Sequence, residues 1–267
     1  MSDDVKKTWQ QFVAEYPAPS EAAWINNFAI RSFRDTGDGD YIAARLAIKA
    51  GLATQAIWSG LQAVEKYLKC MLVLRRVSSK DVGHKIVEGL RLVNERLGYD
   101  IVLPDAEQAV FNHLAESGGD RYLVVSLHLF DHELAGLDAL VWRLRQYCDV
   151  LDVEHYNDKP SEEVLSRSLG RIKARLDGEP TGGHLQHGAL EKILADQHHR
   201  AREGLVWRNA MFGGGQPIIA SESFNFVATN SPLFLNPQIV RAVSKLVLLP
   251  KGALEAFEQL AIDQGKV

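Results

Sequence analysis

Arg121 and His128 are the residues of this chain whose types and spacing best suit chemistry. An imidazole takes a proton from a hydroxyl and returns it to a leaving oxygen near neutral pH. A guanidinium holds a phosphate through paired hydrogen bonds and stabilises charge that develops on it. Together they suit RNA cleavage without a metal, in which the 2′-oxygen attacks the phosphorus and leaves a 2′,3′-cyclic phosphate. The two groups must then project side by side. On a helix, seven residues at ~100° each bring the second within about 20° of the first. The ordinary reading stands beside this one: Arg121 caps a loop or pairs with Asp120 or Asp131, and His128 is a solvated helix residue.

The surrounding pattern predicts that helix. From Leu123 through Leu127, Phe130, Leu134, Leu137 and Val141 to Leu151, apolar residues recur four and three apart. Such a heptad seam, over about 121–152, needs partner helices to cover it. Arg121 and His128 fall outside the seam. Trp142, Val124 and Val125 also lie off it and imply a second buried face, open to a twofold-related copy or to the C-terminal tail. In a symmetric dimer the two Arg121–His128 pairs would approach each other.

The rest of the chain supplies the partners. Residues 3–15 read as a short helix, broken by Pro17 and Pro19, and Ser20 with Glu21 starts another. The polar run Asp35–Asp40, with its two glycines, reads as a break, and Asp40 as the N-cap of the helix that follows. Further helices are expected over about 54–76, 84–97 and from Pro104-Asp105 onward. The fold class is all-α: an up-down four-helix bundle at 38–155, a short N-terminal helical arm at 1–37, and a mostly helical C-terminal extension at 160–267. In the extension, helices are expected over about 161–176 and 188–204, a short strand within Ser223–Ala228, and helix starts at Pro237 and Pro250.

Totals narrow the function. The 267 residues carry a net charge of −4, so attraction to RNA or to an anionic surface must come from a local patch. Two cysteines, both in expected helices, exclude a disulfide scaffold and fit the cytoplasm. No signal segment or membrane span is expected.

Several segments resemble a known family. Asp40-Tyr41-Ile42-Ala43-Ala44-Arg45, followed by Gln62-Ala63-Val64-Glu65-Lys66-Tyr67-Leu68-Lys69, resembles the first two helices of the HEPN family (higher eukaryote and prokaryote nucleotide-binding). His84 resembles the histidine that opens that family's next segment, and Arg121-Tyr122 its arginine position. The resemblance covers about 40–152. It implies a homodimer with composite sites, RNA or nucleotide as ligand, no cofactor, and kinship with bacterial defence and toxin components. Many members are metal-independent RNases marked by an arginine, four to six intervening residues and a histidine; Arg121 and His128 fit with six. Tyr122 stands where those RNases usually carry a polar residue. Arg-Tyr also resembles the family's non-catalytic branch, with Leu123 in place of its proline. A dimeric scaffold, its C-terminal extension meeting a protein partner, is therefore the alternative.

Lys66 and Lys69 are candidate phosphate contacts, with Tyr122 beside them in the nucleotide-binding reading, or else part of a solvated face. His184, His187, His198 and His199 lack a completing ligand at a recognisable spacing, and no metal site is expected there. Lys192, Arg200, Arg202 and Arg208 form a basic segment diluted by Glu191, Asp196 and Glu203, more suited to a solvated helix than to RNA.

Overall fold

The computed structural model describes residues 21–98, 100–118, 123–149, 162–178, 183–213 and 226–266. The expected helix at 3–15, the boundary near 157–160, and Arg121 with Tyr122 lie outside them. Among the described residues the fold is predominantly helical, as an all-α chain requires, and sheet is confined to two short strands.

The first helical run contradicts the expected break at Asp35–Asp40. Helix α1 (Glu21–Ala29), a π-helical turn (Ile30–Arg34) and helix α2 (Asp35–Lys49) follow one another without interruption. Glycine inside a helix costs about 1 kcal/mol relative to alanine. Tertiary contacts outweigh that here. A Cβ on Gly37 would come 3.2 Å from the Tyr67 ring and 3.3 Å from Lys66 Cβ, so glycine lets α2 close on the next helix. Asp38, on the same face, is buried and ion-paired.

Gly51, at φ +71°, turns the chain into helix α3 (Ala53–Leu74). This helix is the central rod: Ile57, Leu61, Val64, Leu68 and Met71 are buried, and a narrower polar strip carries Gln55, Ser59, Gln62, Lys66 and Lys69. So wide an apolar face needs several neighbours. They are α1, α2, helix α4 (Ile86–Arg96), helix α5 (Asp105–Ser117) and helix α6 (Glu133–Gln146). Pro104 precedes α5 as expected.

The long helix expected over about 121–152 is corrected. Its second half exists as α6, with Leu134, Leu137, Val141 and Leu144 buried as the seam requires. Its first half contains strand β1 (Leu127–Phe130). There Leu127 and Leu129 are buried and His128 is exposed, which is period two. A spacing of four satisfies both the helical and the strand period, so Leu123 and Leu127 do not discriminate. What decides is a partner distant in sequence: β1 pairs antiparallel with strand β2 (Phe226–Thr229), Leu127 facing Thr229 and Phe130 facing Phe226. His128 therefore stands on a strand and not on the helical face expected for it.

Helix α7 (Glu162–Asp177) forms as expected, but the helix at 188–204 splits into α8 (Ala189–Ala195) and α9 (Arg202–Val206). Leu190, Leu205 and Phe212 enter the main core. After β2 come α10 (Pro232–Leu235), a 3-10 turn opened by Pro237 (Pro237–Ile239), α11 (Val240–Ser244) and α12 (Ala253–Asp263). Ser231 caps α10, its Oγ accepting the Leu233 and Phe234 N–H groups, and donates to the Val124 carbonyl at 2.6 Å. Val124, Leu233 and Val240 form a second small core there.

Candidate functional site

Two polar clusters stand out, and they differ in access. The first is interior. Asp138 of α6 accepts hydrogen bonds from the Tyr41 hydroxyl (2.6 Å) and from Arg45, and Asn209 Nδ2 donates to the Tyr41 oxygen (2.9 Å). Arg45 also donates to the Gly204 carbonyl at 2.9 Å and to the Trp207 carbonyl. Beside it, Arg145 grips Asp38 in bidentate fashion (2.7 and 2.9 Å) and reaches both oxygens of Glu191 (2.7 and 2.6 Å). Tyr67 donates to Asp38 at 2.8 Å. Arg45, Asp138, Arg145 and Asp38 are all buried. Burial pushes the Asp138 carboxyl up to about 6 against the pull of Arg45. Burial also opposes ionisation of Glu191, but the Arg145 guanidinium outweighs it and holds that pKa below the ordinary range. These groups tie residues 183–213 to the helices of the core.

The second cluster sits at the corner where β1 turns into α6. His128 projects from the exposed side of β1. Its ring stacks on His113 of α5, centroids 4.8 Å apart and planes 15° from parallel. His113 Nδ1 lies 2.6 Å from Glu133 Oε1, and Glu133 Oε2 accepts the Phe130 N–H at 2.6 Å. Burial disfavours the Glu133 charge, but the donors from His113 and Phe130 prevail and lower its pKa. An ionised Glu133 accepts a hydrogen bond from His113 Nδ1–H. Nε2 is buried and has no hydrogen-bond partner. Beneath it lies a cavity of about 20 Å³, room for the centre of one water, walled by Ile57, Val110, Leu129 and Leu137.

Gly136 sets this geometry. A Cβ there would fall 2.6 Å from Val110 Cγ2 and 3.1 Å from the Ala106 carbonyl. Helices α5 and α6 therefore meet closely, and one turn further on each, His113 meets Glu133. Rings extend the corner outward. Phe130 lies edge-on to His128 (5.3 Å), stacks on His132 (5.4 Å, 24°) and meets Phe226 of β2 (5.7 Å).

Of the residues singled out in the sequence, His128 falls in this corner and Arg121 and Tyr122 lie outside the described residues. Lys66 and Lys69 are elsewhere and engaged. Lys66 Nζ is 2.6 Å from Asp40, and Lys69 Nζ is 2.6 Å from Glu65, which also meets His84 Nδ1 at 2.7 Å. The single second face expected from Trp142, Val124 and Val125 does not form: Trp142 packs on Phe212 (5.2 Å) in the main core, Val124 joins the second core, and Val125 is 59% exposed. Among the described residues no group of three or more His, Cys, Asp or Glu side chains is arranged to hold a metal ion. Sequence reasoning missed His113, Glu133 and the ring strip. Only the alternation of Leu127–Phe130 signals that His128 points outward from a strand; no local spacing joins it to His113 or Glu133. No known family, curated protein or solved structure matches this chain.

Proposed function

We propose that the corner built by His113, His128 and Glu133 binds single-stranded RNA and cleaves it without a metal. The observation that carries this reading is the exposed His128 ring stacked on a histidine that a carboxylate orients. Phe130, His132 and Phe226 offer faces on which unpaired bases stack, the usual way a protein grips single-stranded RNA. His128 accepts the 2′-hydroxyl proton as the 2′-oxygen bonds to phosphorus. The bond from phosphorus to the 5′-oxygen then breaks, and that oxygen leaves with the proton His128 returns. The products are a 2′,3′-cyclic phosphate and a free 5′-hydroxyl. His113 and Glu133 are positioning residues that hold the His128 ring through the stack. Arg121 is proposed as the guanidinium that holds the phosphate, a role resting on residue type and on the HEPN resemblance. That resemblance also proposes a homodimer.

The test uses labelled single-stranded RNA with a chelator present. The native chain is expected to cut it and leave cyclic-phosphate ends, and His128→Ala to lose the activity with its helical circular dichroism unchanged. Unaltered cutting by His128→Ala, or none by the native chain, overturns the proposal. The second outcome favours the scaffold reading, which the engagement of Lys66 and Lys69 by the chain's own carboxylates supports.

A further inference from the structure

We propose that the loop between α11 and α12, residues 245–252, docks the protein onto an anionic lipid surface. Val243 and Leu249 turn inward and pack with Leu254 and Phe257 in the second core. That anchors the loop and turns Leu246 and Leu248 outward, 83% and 89% exposed. Lys245 and Lys251 flank them and are exposed as well. From Phe226 through Leu254 the sequence holds no carboxylate, in a chain whose net charge is −4. The next acids lie on α12, where Glu258 is ion-paired with Arg241.

An apolar tip rimmed by ammonium groups matches the layering of a membrane surface. The leucines enter the acyl boundary while the lysines stay among headgroup phosphates. One feature favours lipid over a protein groove. The cations are lysines, hydrated point charges suited to mobile phosphates, where arginine is the usual partner for a fixed carboxylate. Among the described residues no helix is long and apolar enough to cross a membrane, so the contact is peripheral.

Sedimentation of the full chain with vesicles tests this, comparing phosphatidylcholine alone with a phosphatidylcholine–phosphatidylserine mixture. The chain is expected to bind the mixed vesicles, and added salt to weaken that binding. The double variants Leu246→Ser/Leu248→Ser and Lys245→Glu/Lys251→Glu should each lower the apparent affinity by more than about tenfold. All four side chains are exposed, so matched circular dichroism spectra are expected. Failure of the native chain to bind the mixed vesicles, or undiminished binding by both variants, overturns the proposal. So does a dimer, seen by size exclusion without lipid and lost in the leucine variant, combined with no vesicle binding.

Discussion

The interior charge cluster and the histidine corner use similar groups, carboxylates beside cationic or titratable partners and aromatic rings, yet one is closed and the other open. In the interior, Arg145 meets two carboxylates and Arg45 a carboxylate and two carbonyls. Segments distant in sequence supply these partners, so the cluster ties the molecule together. At the corner, one imidazole faces solvent and the other keeps a buried nitrogen without a partner. The interior keeps an unpartnered atom as well, Asp138 Oδ2, so what separates architecture from reactivity is access. Charges that are paired and sealed hold a fold, while a group that exchanges a proton with a substrate must face solvent.

Variants on either side break or sharpen that contrast. The largest loss of stability is expected from Arg145→Met, which strands Asp38 as an unpaired buried carboxylate. Removing one partner of such a pair costs about 3–5 kcal/mol, read as a lower urea midpoint. Next comes pH. Because the folded-state pKa of Asp138 is raised from 3.8 to about 6, the folded form holds its proton more tightly than the unfolded chain. Its contribution is full below pH 3.8 and is lost as pH rises through about 6. Urea midpoints measured from pH 4 to 7 should show this slope, and Asp138→Asn should lack it. Glu133 and Glu191 act in the opposite sense, adding stability above their ordinary range that is lost on acidification.

Gly136→Val should cost about 1–3 kcal/mol by overpacking against Val110, and should also reduce RNA cleavage by parting His113 from Glu133. Thermal melting and the cleavage assay check the two halves. His128→Ala carries the smallest structural effect, within about 0.5 kcal/mol, because the side chain is exposed. Its expected loss of cleavage at unchanged stability would set the corner apart from the interior most clearly.

The sequence was informative wherever local rules governed. The apolar rows of α3 and α6 and Pro104 before α5 could be read from spacing and from proline, and the strand expected over Ser223–Ala228 overlaps the observed Phe226–Thr229. It misled where a distant partner decided. Asp35–Asp40 reads as a loop because glycine and aspartate are weak helix formers, yet Tyr67 and Arg145 recruit Gly37 and Asp38 into a helix. Leu123–Phe130 reads as a helix because spacings of four fit two periods, yet β2 makes part of it a strand. The candidate site was legible only as His128. His113 and Glu133 come from two other elements, and their meeting depends on a glycine contact that no one-dimensional pattern records.

The pairing of β1 with β2 also bears on synthesis. The complementary strand is encoded roughly 100 residues downstream, which ribosomes take about 5–20 s to translate. Throughout that interval a nascent polypeptide exposes Leu127–Phe130 as an uncovered edge vulnerable to misassociation. The platform that includes Phe226 is completed only afterwards, so a polypeptide still emerging from the ribosome lacks it.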